Sequence, residues 1–219
     1  MPNFKLDISY EGTDFFGWQI QKKDRSVQGD IANALSKIFK VDGINLIGSG
    51  RTDSGVHAKQ QIANFKFNTD LKPLNIKNAI NSHLENDVYI NSCEYVSNDF
   101  NSRFDAISRE YEYILTNKYF PLNRNQSWYL KDYNFKLKQL NDMAAIILGK
   151  HDFSTFCKQT SLKENNKCKI TCSRWEAKEN KLYYYIKGNR FLHHMVRYLV
   201  GTMINFSCEE NCISTFESL

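Results

Sequence analysis

The sequence Phe-Lys-Leu-Asp-Ile-Ser-Tyr occupies residues 4–10, and Val-Gln-Gly-Asp-Ile-Ala-Asn-Ala-Leu-Ser-Lys-Ile-Phe-Lys occupies residues 27–40. The first stretch alternates apolar and polar residues, which predicts a half-buried β-strand. The second places its apolar residues on one helical face, and Ser26 before it is a candidate N-cap. An alternating stretch followed closely by a helical stretch indicates a strand and then a helix that packs on it.

The same two periods continue along the first half of the chain. They predict strands at 44–47, 60–67 and 87–95 and a helix at 74–84. The resulting β-α-β-β-α-β order is typical of a ferredoxin-like unit, in which helices cover one face of an antiparallel sheet.

The second half repeats this rhythm, with predicted strands and helices at 104–115 (strand), 135–148 (helix), 168–177 and 181–187 (a hairpin) and 191–206 (helix). We therefore predict an α+β protein with two ferredoxin-like halves, residues 1–103 and 104–219. The halves are expected to form a central antiparallel sheet with helices on one face and a basic cleft between them. Residues 207–219 are short, polar and acidic, so we expect the second half to lack its closing strand.

Composition restricts the class of protein. The chain has 219 residues, of which 42% are hydrophobic and 24% charged, so a sizeable core is available and global disorder is excluded. The net charge of +5 permits a polyanionic partner without requiring one. Neither a secretory signal nor an apolar run of about 20 residues is present, and we expect a cytoplasmic protein whose six cysteines are reduced thiols.

Two pairs of cysteines raise the question of a zinc site. Cys168 and Cys172, and likewise Cys208 and Cys212, are spaced C-x3-C. The first pair lies in a predicted strand, where residues four apart share a face but are too distant to bind one ion together. We expect ordinary thiols and no metal.

The loop with the clearest chemical potential is Gly48-Ser-Gly-Arg-Thr-Asp-Ser-Gly-Val-His-Ala58. Its glycines allow sharp turns and close approach to a ligand. Arg51 lies two residues before Asp53, and a nearby guanidinium favours an ionised carboxylate. Such a carboxylate suits attack on, or electrostatic support of, an electron-poor sugar carbon. The alternative is a turn in which Asp53 only bonds local backbone amides.

The triplet Asp53-Ser54-Gly55 is also the signature of aspartic proteases, which pair two carboxylates. The chain contains no second such triplet, so only a dimer could supply the second carboxylate. The two residues before the triplet are Arg and Thr, whereas apolar residues are expected there in a protease. We therefore do not favour this interpretation.

The segment Gly50–Ala58 resembles the signature loop of the tRNA pseudouridine synthase A family. Other segments resemble that family in the same order along the chain, and together they span nearly all of it: Tyr10–Gln21 with Val27-Gln28, Asn101–Tyr113, Gly149–Phe156 and Phe191–Gly201. The resemblance implies isomerisation of uridine to pseudouridine in RNA, without a metal, nucleotide or redox cofactor.

The resemblance also implies roles for individual residues. Asp53 is the expected catalytic carboxylate, which either adds to C1′ or first draws a proton from the sugar. Tyr111 is expected to stack on the target uracil, with its hydroxyl available for proton transfer at C5, although a strand tyrosine is also a common core residue. Arg197 is expected to hold Asp53 ionised, and Arg51 to help displace the target nucleotide, because the base must leave its stack before the chemistry.

The expected RNA contacts lie in or beside these motifs, and they predict a salt-sensitive affinity. They are Asp14, Phe15, Trp18, Gln19, Lys22, Lys23, Arg25, His57, Arg103, Arg109 and His193. A core-edge cluster is the alternative for the aromatic residues of the first motif, and packing or loop hydrogen bonds for the histidines. The spacing of His193 and Arg197 predicts that they share one helical face.

The family resemblance further implies a homodimer in which one tRNA contacts both subunits, and modification in the anticodon stem-loop. Two features depart from the family pattern. Asn101 stands where the family often has His, which weakens one RNA contact. Family members usually continue with a helix and a closing strand that adds an apolar wall to the active site, so a catalytically weakened RNA-binding or chaperone member of the same fold is the alternative function.

Overall fold

The first half of the chain has the β-α-β-β-α-β order that the hydrophobic pattern predicts, in a computed structural model that describes residues 1–219. Its elements are β1 (Asn3–Tyr10), α1 (Val27–Phe39), β2 (Ile47–Gly48), β3 (Ala58–Lys66), α2 (Pro73–Asn81) and β4 (Val88–Val96). They belong to the first of two units, Met1–Ala106 and Ile107–Leu219, which we call unit 1 and unit 2.

The sheet of unit 1 has the strand order β2-β3-β1-β4, and every neighbouring pair is antiparallel. This order is the one expected of a ferredoxin-like unit. β1 is central and alternates: Phe4, Leu6 and Ile8 are buried, whereas the residues between them are partly exposed. The predicted alternation of buried and partly exposed residues in the first strand is therefore confirmed.

Helix α1 covers this sheet because its apolar residues lie on one face. Val27, Ile31 and Leu35 are fully buried, and each such side chain stabilises the fold by about 1.5–3 kcal/mol. Ser26 is the N-cap, as predicted: its side chain accepts a hydrogen bond from the Gly29 N–H at 3.3 Å. The helix ends at Phe39, since Lys40 takes a left-handed conformation with φ of 55°.

Unit 2 contains five strands and two longer helices, followed by a short one: β5 (Arg109–Thr116), β6 (Trp128–Tyr129), α3 (Leu137–Ile146), β7 (Gly149–Asp152), β8 (Lys167–Lys178), β9 (Lys181–Gly188), α4 (Met195–Phe206) and α5 (Cys212–Glu217). Its sheet has the order β6-β5-β9-β8-β7, in which only the β5–β6 pair is parallel. The α+β class with two halves is confirmed, and the strands form two sheets, one in each unit.

The hairpin of β8 and β9 is the centre of unit 2 and agrees with the predicted turn. Glu179 has a φ of 54° in that turn. The rings of Trp175 and Tyr184 lie 4.6 Å apart across the two strands. The Tyr184 hydroxyl lies 2.9 Å from that of Ser173, and burial raises the pKa of this tyrosine above its ordinary value.

Three predicted boundaries are wrong for local reasons. The strand predicted from residue 104 begins at Arg109, because residues 101–105 form a hydrogen-bonded turn. The helix predicted from 191 begins at Met195, since His194 has a φ of 65° and cannot continue a helix. Residues 207–219, for which no element is predicted, include α5, which places Phe216 in the core.

No strand follows α4 along the chain. The edge of β5 that does not pair with β9 pairs with β6, and only at Leu115 and Thr116. None of the helices has the length and apolarity that a membrane crossing requires.

Candidate active site

Asp53 lies in the loop between β2 and β3, residues 49–57, which we call the Asp53 loop. Its first residues are fixed to β3. The backbone N–H of Ser49 donates to the carbonyl of Ile62 at 2.7 Å, and the buried Gln61 side chain donates to the carbonyl of Gly50 at 2.6 Å. The loop therefore leaves the sheet in a defined direction.

The segment that follows β1 holds the Asp53 loop on both sides of the carboxylate. The backbone N–H of Trp18 donates to the Thr52 carbonyl at 3.2 Å, and the N–H of Gly55 donates to the Phe15 carbonyl at 3.2 Å. Backbone hydrogen bonds before and after Asp53 thus determine its position.

Two glycines make this approach possible. A Cβ on Gly17 would lie 2.4 Å from the carbonyl oxygen of Thr52, and φ at Gly17 is +89°. A Cβ on Gly12 would lie 2.1 Å from the carbonyl oxygen of Val56. Both distances are well inside van der Waals contact, so larger residues would push the Asp53 loop away.

Asp53 begins a tight turn and is half-buried. Its carbonyl accepts a hydrogen bond from the Val56 N–H at 3.2 Å, and Gly55 supplies the positive φ of 76° that the turn requires. Arg51, on the same loop, is exposed. The backbone of Asp53 is therefore fixed by the turn, and an exposed cation lies two residues before it.

His57, predicted to contact RNA, ties the Asp53 loop to the end of β1. The Gly12 N–H donates to its Nδ1 at 2.9 Å, and a Glu11 carboxylate oxygen lies 3.1 Å from the same nitrogen. The ring is half-buried, and the hydrogen bond that the sequence left as an alternative is present.

The structure corrects two predicted RNA contacts, Phe15 and Trp18. Their exposed fractions are 1% and 2%, and both rings lie 6.4 Å from the ring of Tyr10. The Trp18 indole also fills the space beside Gly48, where a Cβ would lie 2.5 Å from it. These side chains are core residues beneath the Asp53 loop, the alternative that the sequence left open.

Arg25, also predicted to contact RNA, forms ion pairs within unit 1. Its guanidinium donates to both carboxylate oxygens of Asp87, at 2.5 and 2.9 Å, and to Asp30 at 2.9 Å, and it lies 4.2 Å from the centre of the Phe15 ring. The hydrogen bonds to Asp87 raise the pKa of Arg25 above its ordinary value. This side chain links α1 to the residue before β4.

Other predicted contacts of unit 1 are at the surface. The exposed residues are Asp14, Gln19, Lys22, Lys23, Arg51 and Arg103. Four of these six are cations, so the segments on which they lie can attract a polyanion.

In unit 2, Tyr111 lies on β5 opposite Ile186 of β9. Its ring meets that of Phe191 edge-on at 5.0 Å and packs against the core while staying half-buried. Both roles considered from the sequence, packing and presentation of a ring face, are compatible with this position.

Arg197 lies in the first turn of α4 and is exposed. Burial raises the pKa of Tyr113 on β5, and the charge of Arg197 opposes that rise. The guanidinium therefore acts on Tyr113 within unit 2.

Two further predicted RNA contacts of unit 2, Arg109 and His193, form hydrogen bonds with loops. Nη1 of Arg109 donates to the Asn189 carbonyl at 2.8 Å. Nδ1 of His193 lies 2.8 Å from the Ser161 hydroxyl. His193 precedes α4, so the prediction that it shares a helical face with Arg197 is wrong.

The cysteines do not form disulfides. Cys168 and Cys172 lie on β8, four residues or about 13 Å apart along the strand. Cys168 is buried in the core of unit 2, and burial raises the pKa of its thiol.

Two exposed aromatic side chains are not predicted by sequence reasoning. Phe16 and Phe104 have exposed fractions of 54% and 77%. Each lies inside one of the motifs described above, so the available signal is an aromatic residue beside a chemically important segment. Backbone geometry, which sequence does not supply, decides that Phe15 points inward and Phe16 outward.

Comparison with known proteins identifies what this chain is similar to. A family model described as tRNA pseudouridine synthase matches residues 8–105 and 143–219. A tRNA pseudouridine synthase A of Brachyspira hyodysenteriae is 39% identical over 225 residues, which cover all of this chain and 89% of that protein. The tRNA pseudouridine synthase A of Borrelia duttonii is 36% identical, with 99% and 88% covered. A protein of Clostridium perfringens named tRNA pseudouridine synthase A 2 is also 36% identical, with 93% and 84% covered.

Proposed function

Because the chain belongs to the tRNA pseudouridine synthase family and is thus an isomerase of tRNA uridine, we propose that Asp53 is its catalytic carboxylate and the anticodon stem-loop its target. The isomerisation breaks the C1′–N1 bond of uridine and joins C1′ to C5. The C5 proton is lost and N1 gains a proton, so the reaction is balanced without a redox partner or metal.

The observation that carries this proposal is the way Asp53 is held. Hydrogen bonds from the segment after β1 fix Thr52 and Gly55 on either side of it, and the side chain is half-buried. A carboxylate fixed in this way loses little conformational freedom when it meets C1′. Addition to C1′ and removal of a sugar proton both remain open to such a group.

Three other residues complete the proposed chemistry. Tyr111 stacks on the target uracil, and its hydroxyl takes part in proton transfer at C5. Arg197 supplies the guanidinium that keeps the catalytic carboxylate ionised, and its exposed position in the first turn of α4 supports this role. Arg51, exposed on the Asp53 loop, helps displace the target nucleotide from its stack.

The proposed RNA contacts are the predicted residues that can reach solvent or lie at a loop surface: Asp14, Gln19, Lys22, Lys23, Arg103, Arg109 and His193. Their cations neutralise phosphates, so affinity for tRNA falls with salt. We further propose a homodimer that binds one tRNA through both subunits. The substrate also implies that the enzyme acts in the cytoplasm.

Release of tritium tests the activity and its target together. Transcripts carrying uridine labelled with tritium at C5 lose the label when C1′ joins C5. We expect release from tRNA and from an isolated anticodon stem-loop, and none from a labelled tRNA in which only the uridines of the anticodon stem-loop are replaced by cytidine. Tight tRNA binding without release would indicate an RNA-binding member of the fold, and release only from other arms would exclude the anticodon stem-loop.

Arg197 is tested by substitution. Arg197→Gln is expected to lower kcat for tritium release without changing thermal unfolding, because the proposed carboxylate loses its cation. Arg197→Lys keeps the charge and should restore most of kcat. Sedimentation of the protein with and without tRNA tests the dimer, and a monomer that binds tRNA one to one would exclude it.

A further inference from the structure

Phe104 is the most exposed large aromatic side chain of unit 1, with 77% of its surface in solvent. It lies in a turn of residues 101–105, which we call the Phe104 turn, before β5 begins. Aromatic side chains contribute strongly to binding when a partner covers or stacks on them. None of the catalytic and RNA-binding roles proposed above uses this ring.

Internal hydrogen bonds make the Phe104 turn rigid. The Asn101 N–H donates to the Asp105 carboxylate at 2.8 Å. The Asn101 side-chain oxygen accepts from the backbone N–H of Arg103 at 3.0 Å. The backbone carbonyl of Asn101 accepts from the N–H groups of Phe104 and Asp105 at 3.1 and 2.9 Å. The ring therefore cannot retreat to the core without breaking this set.

The turn is also fixed to the sheet of unit 1. The Ser102 N–H donates to the buried Asn64 side chain at 2.9 Å, and the Ser102 hydroxyl donates to the Ile47 carbonyl at 2.5 Å. Asn64 donates in turn to Asn3 on β1 at 3.0 Å. Ile47 belongs to β2, the strand that leads directly into the Asp53 loop, so one strand supports both features.

A cation accompanies the exposed ring. The Arg103 guanidinium lies 5.7 Å from the centre of the Phe104 ring. An aromatic ring with an arginine beside it is a common arrangement for holding an unpaired base, because the ring stacks on the base and the cation meets the phosphate. A protein partner would more often bury a cluster of apolar side chains, whereas the two residues that flank Phe104 in the turn, Arg103 and Asp105, are charged and exposed.

We propose that Phe104 is a stacking platform for an unpaired nucleobase of the bound tRNA, with Arg103 on the adjacent phosphate. The inference rests on the proposed use of tRNA loop nucleotides as substrate, and it adds a substrate-positioning residue to that function. Stacking is tolerant of base identity, so Phe104 contributes affinity and orientation more than sequence preference.

Four variants test this role. Phe104→Ala and Phe104→Leu remove the ring, Phe104→Trp keeps an aromatic face, and Leu74→Ala removes an apolar side chain of unit 1 that is 63% exposed and has no assigned role. The equilibrium Kd for an anticodon stem-loop is measured with each, together with thermal unfolding. We expect Phe104→Ala and Phe104→Leu to raise Kd about tenfold, with unchanged unfolding. Phe104→Trp should bind nearly as the natural protein does, with its fluorescence quenched by the RNA.

Leu74→Ala is the control and should bind the stem-loop as the natural protein does. An unchanged Kd in Phe104→Ala, or a loss that Phe104→Trp shares, would overturn the stacking role. A change of sedimentation with an unchanged Kd would assign the ring to a protein contact instead. Because Kd does not depend on turnover, failure of the natural protein to release tritium would reject the proposed function without deciding this inference.

Discussion

The hydroxyl of Tyr10 lies 2.9 Å from the hydroxyl of Thr52, the residue that precedes Asp53. Tyr10 is the last residue of β1, and its ring packs near Phe15 and Trp18 in the core of unit 1. This hydrogen bond adds a side-chain link between the core of unit 1 and the residue next to the proposed catalytic Asp53. Changes in packing beneath the Asp53 loop should therefore appear in turnover.

Removing this hydroxyl gives the first prediction. Tyr10→Phe keeps the ring and loses the hydrogen bond, so the free energy of unfolding should fall by about 0.5–1.5 kcal/mol. We expect kcat to fall several-fold while the Kd for tRNA stays the same, because the change affects the position of Asp53 and not an RNA contact. Thr52→Val is the matched change on the other side of the bond. An unchanged kcat in both variants would contradict the coupling.

The second prediction concerns the glycines beneath the Asp53 loop. Gly12→Ala and Gly17→Ala should each lower activity strongly and destabilise unit 1, since their Cβ atoms would lie 2.1 and 2.4 Å from loop carbonyl oxygens. Gly50→Ala is the control within the loop, because a Cβ there meets nothing within 4 Å. It should leave thermal unfolding unchanged. Equal unfolding in all three variants would show that close approach is unimportant.

The third prediction separates structural from RNA-binding cations. Arg25→Gln should lower the thermal unfolding midpoint, because it leaves Asp30 and Asp87 without the guanidinium that joins them. The slope of log Kd against log salt should not change. The double change Lys22→Gln and Lys23→Gln should do the reverse, with the slope reduced by about one for each phosphate that is no longer neutralised. A reduced slope in Arg25→Gln would return that side chain to the RNA interface.

The fourth prediction follows from Cys93 on β4. Burial, with a smaller contribution from Glu94, raises the pKa of its thiol from 9.0 to about 12. The folded state therefore keeps this proton where the unfolded state loses it, so the associated stability is present below pH 9 and is lost as pH rises towards 12. Cys93→Ala should reduce the decline in stability across that window.

Alkylation provides a direct measurement of the same thiol. At about pH 8, iodoacetamide should modify the exposed Cys208 quickly and Cys93 only after unfolding. Rapid modification of Cys93 in the folded protein would contradict its raised pKa.

Sequence predicts the parts of this fold that depend on local periodicity. β1 and α1 have strong periods of about two and 3.6 residues, and α1 has a side-chain cap at Ser26, so their type and limits follow from short-range chemistry. The two residues of β2 are harder to predict, because the predicted strand 44–47 overlaps it only at Ile47. Its pairing is decided by contact with β3 and not by its own sequence.

The wrong predictions in unit 2 have a common physical origin. The start of β5 is delayed by side-chain hydrogen bonds of Asn101, and α4 is shortened by the left-handed backbone of His194. Helix α5 has six residues, too few to show a hydrophobic period, and it buries Cys212 and Phe216. Each outcome depends on a tertiary or backbone feature that hydrophobic periodicity does not encode.

In the candidate site, too, the sequence predicts some features and not others. The motifs identify Asp53 and its loop as chemically distinctive, but residue type does not determine direction. Phe15 turns into the core whereas Phe16 faces solvent, and Arg25 pairs with two carboxylates. Aromatic and basic residues in a motif therefore need coordinates before they can be assigned to RNA.

The most direct test of the account is the Asp53→Asn variant, assayed by tritium release from tRNA labelled at C5 of uridine. The change keeps the size of the side chain and removes its charge. We predict that release falls at least about 10³-fold, while the Kd for tRNA and the thermal unfolding midpoint match those of the natural protein. Release by the folded variant at a rate near that of the natural protein would contradict the assignment of Asp53 as the catalytic carboxylate.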